Sequence, residues 1–188
     1  MKAIPSVILA VCAVPGVTLL SLAVSAQNPA APGTQTRTAT FMVSVMVDND
    51  CRISSSNPLE FGHVAPALNT STGTWLAAAD WITHFSVICS KNTRYMLYLD
   101  QGSAANSTVS RRLMSGATPG NTDQLQYQLY LDPTYSTIWG NGASGSANGV
   151  SGIGSGAPQP YSVYGRILQQ EIPNPDLYSS MITALLTF

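Results

Sequence analysis

Few side chains in this sequence stand in a pattern that could do chemistry, and the clearest are thiols. Cysteine occurs at Cys12, Cys51 and Cys89, and histidine only at His63 and His84. A thiol pair can hold a metal, stay reduced in a core or close into a disulfide. Two cysteines without a nearby pair of histidines make a poor zinc site. Asp80, Asp100, Asp123, Asp132 and Asp176 are scattered and mostly adjoin turn residues, where a carboxylate bonds its own backbone. The chain has no Gly-x-Ser-x-Gly elbow and no His-Glu-x-x-His helix motif. The reading is therefore a protein that is not an enzyme, with no cofactor and no metal. Tyr98, Tyr130, Tyr135, Trp139 and Tyr161 could line a sugar platform, but the same side chains suit capping a core.

The segments that carry these residues begin after an apolar leader. Residues 1–26 read as a signal peptide: Lys2 leads, an apolar stretch follows, and Val24-Ser25-Ala26 offers small residues for cleavage. Pro5, Pro15 and Gly16 interrupt that stretch, which argues against a membrane anchor. Cleavage would remove Cys12 and leave an even pair, Cys51 and Cys89, which in an exported chain reads as a disulfide. Closing such a loop contributes about 4 kcal/mol on chain-entropy grounds. Charged residues make up 9% of the chain and nearly balance, for a net charge of -1, so no nucleic-acid partner is indicated.

Residues 27–37 hold breakers and little apolar content and read as a flexible tether. The next stretch, residues 38–48, alternates. Phe41, Val43, Val45 and Val47 fall on one side of an extended chain, with Met42, Ser44, Met46 and Asp48 on the other. Such a segment can be the first strand of its own sandwich or can be lent to a neighbour, and the pattern alone fits both.

Residues 49–188 continue as short alternating runs split by turn residues, an all-β pattern that predicts a two-sheet sandwich. Trp81, Thr83, Phe85, Val87 and Cys89 share a face, as do Tyr95, Leu97 and Leu99. Leu125, Tyr127, Leu129 and Leu131 alternate with Gln124, Gln126, Gln128 and Tyr130, which puts the glutamines on the wet side. A short strand is expected around Val109–Met114. Residues 140–160, rich in Gly, Ser, Ala and Asn, read as a mobile surface excursion whose glycines supply flexibility. Ile182, Ala184, Leu186 and Phe188 form one face of a last run that stops at the terminus, which fits a sandwich with a strand position left vacant.

An ordered set of short motifs resembles the spore coat protein U domain family, which includes subunits of archaic, Csu-type chaperone–usher pili. The matching pieces are Cys51-Arg-Ile, Leu59-Glu-Phe-Gly62, Phe85-Ser-Val-Ile-Cys-Ser90, Asp100-Gln-Gly102 and Arg112-Leu-Met114. They continue with Leu125 to Asp132, Trp139-Gly140, Tyr164-Gly-Arg166 and the closing Leu185-Leu-Thr-Phe188. Asp176-Leu-Tyr-Ser-Ser180 departs from the family's usual Gly-Thr-Tyr-x-Asp. The resemblance implies an incomplete immunoglobulin-like β-sandwich, missing its final strand and completed by a donor strand. It further implies a secreted structural subunit of a surface pilus, or fimbrium, with a role in cell adhesion and biofilm. Its partners would be copies of itself or related subunits, a periplasmic chaperone and an outer-membrane usher. Phe41, Val43, Val45 and Val47 would be the inserted side chains. A secreted spore or cell coat protein and a carbohydrate-binding adhesin are the alternatives the same family offers.

Overall fold

A computed structural model describes residues 33, 36–69, 73–143 and 148–188. The leader, and the tether apart from Gly33, Thr36 and Arg37, lie outside the described residues. The chain divides into two units, Met1–Ser44 and Val45–Phe188. In the first, residues 36–44 carry no strand, and Phe41 and Val43 are exposed.

The second unit is built of antiparallel strands, and no helix occurs among the described residues. In chain order the strands are β1 (Cys51–Ser56), β2 (Pro66–Asn69), β3 (Gly73–Leu76), β4 (Ala79–Cys89), β5 (Arg94–Leu99) and β6 (Arg112–Gly116). They continue with β7 (Gln124–Tyr130), β8 (Val150–Ile153), β9 (Gln159–Ile167), β10 (Gln170–Glu171), β11 (Tyr178–Ser179) and β12 (Ala184–Thr187). One sheet has the order β1-β4-β9-β7-β6-β11, and a second has the order β12-β5-β8. A small third sheet, β10-β3-β2, accompanies them. The expected all-β, immunoglobulin-like sandwich is thus what the chain forms.

Alternation builds the core. Phe85, Val87 and Cys89 of β4 meet Tyr95, Leu97 and Leu99 of β5, with Leu125, Tyr127 and Leu129 of β7 and Val163 and Ile167 of β9. Cross-strand neighbours on one face bury together because side chains in a strand alternate sides. Trp139 joins them at 1% exposure, with its indole N–H donating to Leu97 O (3.2 Å).

Several expectations need correction. Residues 140–160 are not one loose excursion, since Val150–Ile153 form β8 against β5. Gly152 and Gly154 serve close approach. A Cβ at Gly152 would overlap the Tyr95 ring, and one at Gly154 would overlap Ser90 O and Cys89. Gln128 is not on a wet face but 2% exposed, drawn in by Arg112. Trp81 shares the face of Phe85 and Val87 yet is 52% exposed, and its partner across the sheet is Gly165, which has no side chain to lie against it. The short strand expected at Val109–Met114 forms over Arg112–Gly116. Asp80 sits within β4, bonded to Arg166, rather than at a turn.

Candidate functional site: an open groove in the sandwich

The groove is best built from its rim strands. β1 ends the six-stranded sheet and pairs only with β4, and β12 ends the three-stranded sheet and pairs only with β5. The two come near each other without pairing. Unpaired strand edges present a row of free N–H and C=O groups that will accept another strand.

Between these rims lies a cavity of about 700 Å³, walled by Ile53 and Asn57–Leu59 on one side and Ser180–Ala184 on the other. Its floor is the core itself: Phe85, Leu99, Tyr127, Leu129 and Val163. A second cavity of about 860 Å³ adjoins it, bounded by Leu59–Val64 and Ile172–Ser180, and both are lined by Leu59, Met114 and Ser180. A trench floored by core side chains has the shape and chemistry to take an apolar strand.

Local devices hold the walls. Cys51 and Cys89 are directly opposite in the β1–β4 register and are joined by a disulfide, with Cα atoms 4.1 Å apart. Gly165 lets Leu59 and Phe61 lie close on β9, because a Cβ there would crowd both side chains. Asp176 fixes the opposite wall. Its carboxylate accepts from Asn121 Nδ2 (2.7 Å), Thr118 N–H (2.9 Å), the Thr118 hydroxyl (2.9 Å) and Leu177 N–H (2.8 Å). These bonds, the Asn121 amide first, hold its pKa down to about 2. This is the segment that departs from the family pattern, and Asp176 supplies the anchor of the turn. Asp100 ties the approach to β12, accepting from Gly102 N–H and Thr183 N–H, each at 3.0 Å. Burial raises the pKa of the Tyr127 phenol in the floor.

Behind the floor is a buried cation that the sequence reading missed. Arg112 is 0% exposed and donates from Nε to Asp100 O (2.9 Å) and from Nη1 to Gln128 Oε1 (2.5 Å) and Val109 O (3.3 Å). From Nη2 it donates to Leu99 O (3.1 Å) and Trp139 O (2.8 Å). Burial pushes its pKa down to about 10. The guanidinium thus ties the end of β5 to β7 and to the Trp139 segment.

The aromatic candidates divide. Trp139 is core, and Tyr161 packs on Phe85 with its hydroxyl 2.6 Å from that of Tyr95. Tyr98 packs over Gly142 and Gly149. Tyr130 and Tyr135 meet edge to face, with the Arg166 guanidinium 3.6 Å over the Tyr135 ring and bonded to Asp80 (2.6 and 2.8 Å). The five are not one platform. His84 bonds Ser162 and borders the smaller cavity, and His63 lines the larger one.

Of the expected inserted residues, Val45 and Val47 of the second unit are 86% and 83% exposed. Phe41 and Val43, in the first, are 86% and 83% exposed. Residues 45–50 form no strand of this chain.

Comparisons with known proteins bear on the fold and the family. The fold is similar to a chain of the CsuC–CsuE chaperone–tip adhesion subunit pre-assembly complex from archaic chaperone–usher Csu pili of Acinetobacter baumannii, with a TM-score of 0.50 and 22% identity. The match covers 76% of this chain but 40% of that one, so this protein spans about two fifths of its length. Protein U of Myxococcus xanthus is 32% identical over 160 residues, covering 81% of this chain and 86% of the relative. The sequence profile of the Spore Coat Protein U domain matches residues 37–185, from just before the apolar segment to the last strand. The chain therefore belongs to the Spore Coat Protein U domain family.

Proposed function

We propose that this protein is an exported structural subunit of a surface pilus that polymerises by donor-strand complementation. Residues 38–48 of one copy fill the groove between β1 and β12 of the next. The observation that carries this reading is the open trench whose floor is the hydrophobic core itself. Fully burying Phe41, Val43, Val45 and Val47 there would contribute on the order of 6–12 kcal/mol before ordering costs. Backbone pairing along both rims adds direction and satisfies the free edges. A periplasmic chaperone would occupy the groove first and an outer-membrane usher would direct the exchange, as the kinship with chaperone–usher subunits suggests. Adhesion and biofilm formation belong to the assembled fibre.

A copy of residues 38–48 placed after Phe188 through a short linker tests this. The extended chain should be a soluble monomer with one cooperative melting transition, whereas the unmodified chain polymerises or unfolds. A soluble, cooperative monomer from the unmodified chain would overturn the reading. A second reading, a cell-coat protein assembled by the same exchange, is favoured by the family's name and by the similarity to Protein U. Electron microscopy of cells with and without the gene separates filaments from a coat.

A further inference from the structure

Only Asn49 and Asp50 join the proposed donor segment to β1. A two-residue connection is the commonest hairpin, and its type I′ form sets both residues at positive φ. A reversal there would lay residues 38–48 along the free edge of β1 in the same molecule. The structure holds these two residues differently. Asp50 continues the β1–β4 ladder by one rung: Ser90 N–H donates to Asp50 O (2.8 Å), and Asp50 N–H donates to the Ser90 hydroxyl (3.1 Å). The hydroxyl of Thr93, a residue only 3% exposed, donates to Asn49 Oδ1 (3.2 Å). Neither Asn49 nor Asp50 has a positive φ.

The turn that grips them is itself fixed. Asn92 sits at φ 67°, and Thr93 N–H donates to Ser90 O (3.1 Å). Gly154 closes it from behind, accepting from Asn92 N–H (2.8 Å) and donating to Thr93 O (2.7 Å). The Cys51–Cys89 bridge lies at the next rung.

We infer that Asn49, Asp50 and the Ser90–Thr93 turn form an exit clamp that bars the chain from completing its own sandwich, so that residues 38–48 are kept for a second copy. The inference rests on the donor-strand reading and adds the device that makes the exchange intermolecular. Reversal at residues 49 and 50 would break the ladder rung and the Thr93 bond together, and a one-copy closed form is disfavoured by that loss.

The test compares the full chain with a variant carrying Asp50→Gly and Thr93→Val. The first change gives Asn-Gly, the strongest type I′ turn pair, and the second removes the grip on Asn49. Size exclusion reads the monomer fraction, and amide hydrogen exchange reads protection of residues 38–48 within the monomer peak. The variant should raise the protected monomer at least about tenfold over the parent, the scale expected from losing one or two hydrogen bonds. A folded variant with the parent's monomer fraction and protection overturns the clamp while leaving donation intact. A parent that stays a soluble, cooperatively folded monomer overturns the donor reading instead, and the clamp is then decided by protection in the variant against the parent. Should the double variant fail to fold, Ser90→Ala, which removes one clamp bond, is expected to raise protected monomer about threefold. No change in that variant would overturn the clamp.

Discussion

Burying a guanidinium is costly unless every donor finds a partner, and Arg112 meets that condition with four backbone carbonyls and one side-chain amide oxygen. No salt bridge joins it among the described residues. It bonds the carbonyls of Leu99 and Asp100 at the end of β5 and that of Trp139, and shares Val109 O with the Gln128 amide. Arg112→Ala strands those acceptors and should cost about 3 kcal/mol or more. Urea unfolding of the chain carrying its own appended donor strand measures this. Arg112→Lys should recover only part of the loss, since an ammonium has three donors and lacks the fork geometry. The family resemblance sets Arg112, and not its exposed neighbour Arg111, at the head of a motif, but neither that motif nor the alternation tells that the side chain is buried. Both are basic residues at a strand start, and burial is decided by what folds over them. Gln128 was misread for the same reason: alternation placed it outward, and the buried cation drew it in. The cysteine bridge was legible, because the expected loss of Cys12 with the leader leaves an even pair, and in an exported chain two thiols have few other uses.

At the scale of elements, the strongest alternating runs were read correctly. β5 and β7 bury the side chains that period-two spacing selects: Tyr95, Leu97, Leu99, Leu125, Tyr127 and Leu129. Strands of two residues, β10 and β11, are too short to leave a pattern. β8 was hidden in a different way. Val150-Ser-Gly-Ile153 is flanked by glycines at 149 and 154, and composition alone made those glycines look like slack. They are sites where backbone and rings come too close for a side chain. Gly154 is the sharpest case, because a Cβ would meet Ser90 O, which cannot swing away as a side chain can. Gly154→Ala should therefore destabilise the chain by about 1–3 kcal/mol, the usual range for overpacking. Ser151→Ala, at an exposed position in the same short strand, should stay within about 0.5 kcal/mol. Thermal melts of both in the self-complemented chain make the comparison. Equal melting temperatures would mean that the turn behind Ser90 yields more readily than its bonds imply.

For the whole molecule, the groove was legible only as a suspicion raised by the final alternating run. The rims could not be located until the sheet order placed β1 and β12 at two unpaired edges. The donor reading makes a prediction about assembly rather than about folding. Val45→Asp would set an unpaired charge in a dry groove, at a cost of several kcal/mol, while leaving the variant's own groove unchanged. Variant subunits should be captured by an added peptide of residues 38–48 as well as the parent is, yet fail to extend filaments in electron micrographs. Filaments of parental length from Val45→Asp would remove that side chain from the joint.

The bridge between Cys51 and Cys89 has a mechanical consequence. In a strand-exchanged fibre, tension reaches each body through the residues just ahead of β1, and an edge strand held only by hydrogen bonds can be unzipped rung by rung from that end. Here a single non-covalent rung, Asp50 with Ser90, precedes a covalent one. Beyond it the pull passes into β4, the long strand flanked on its other side by β9. The load is thus delivered to an interior strand of the larger sheet rather than spent peeling its margin.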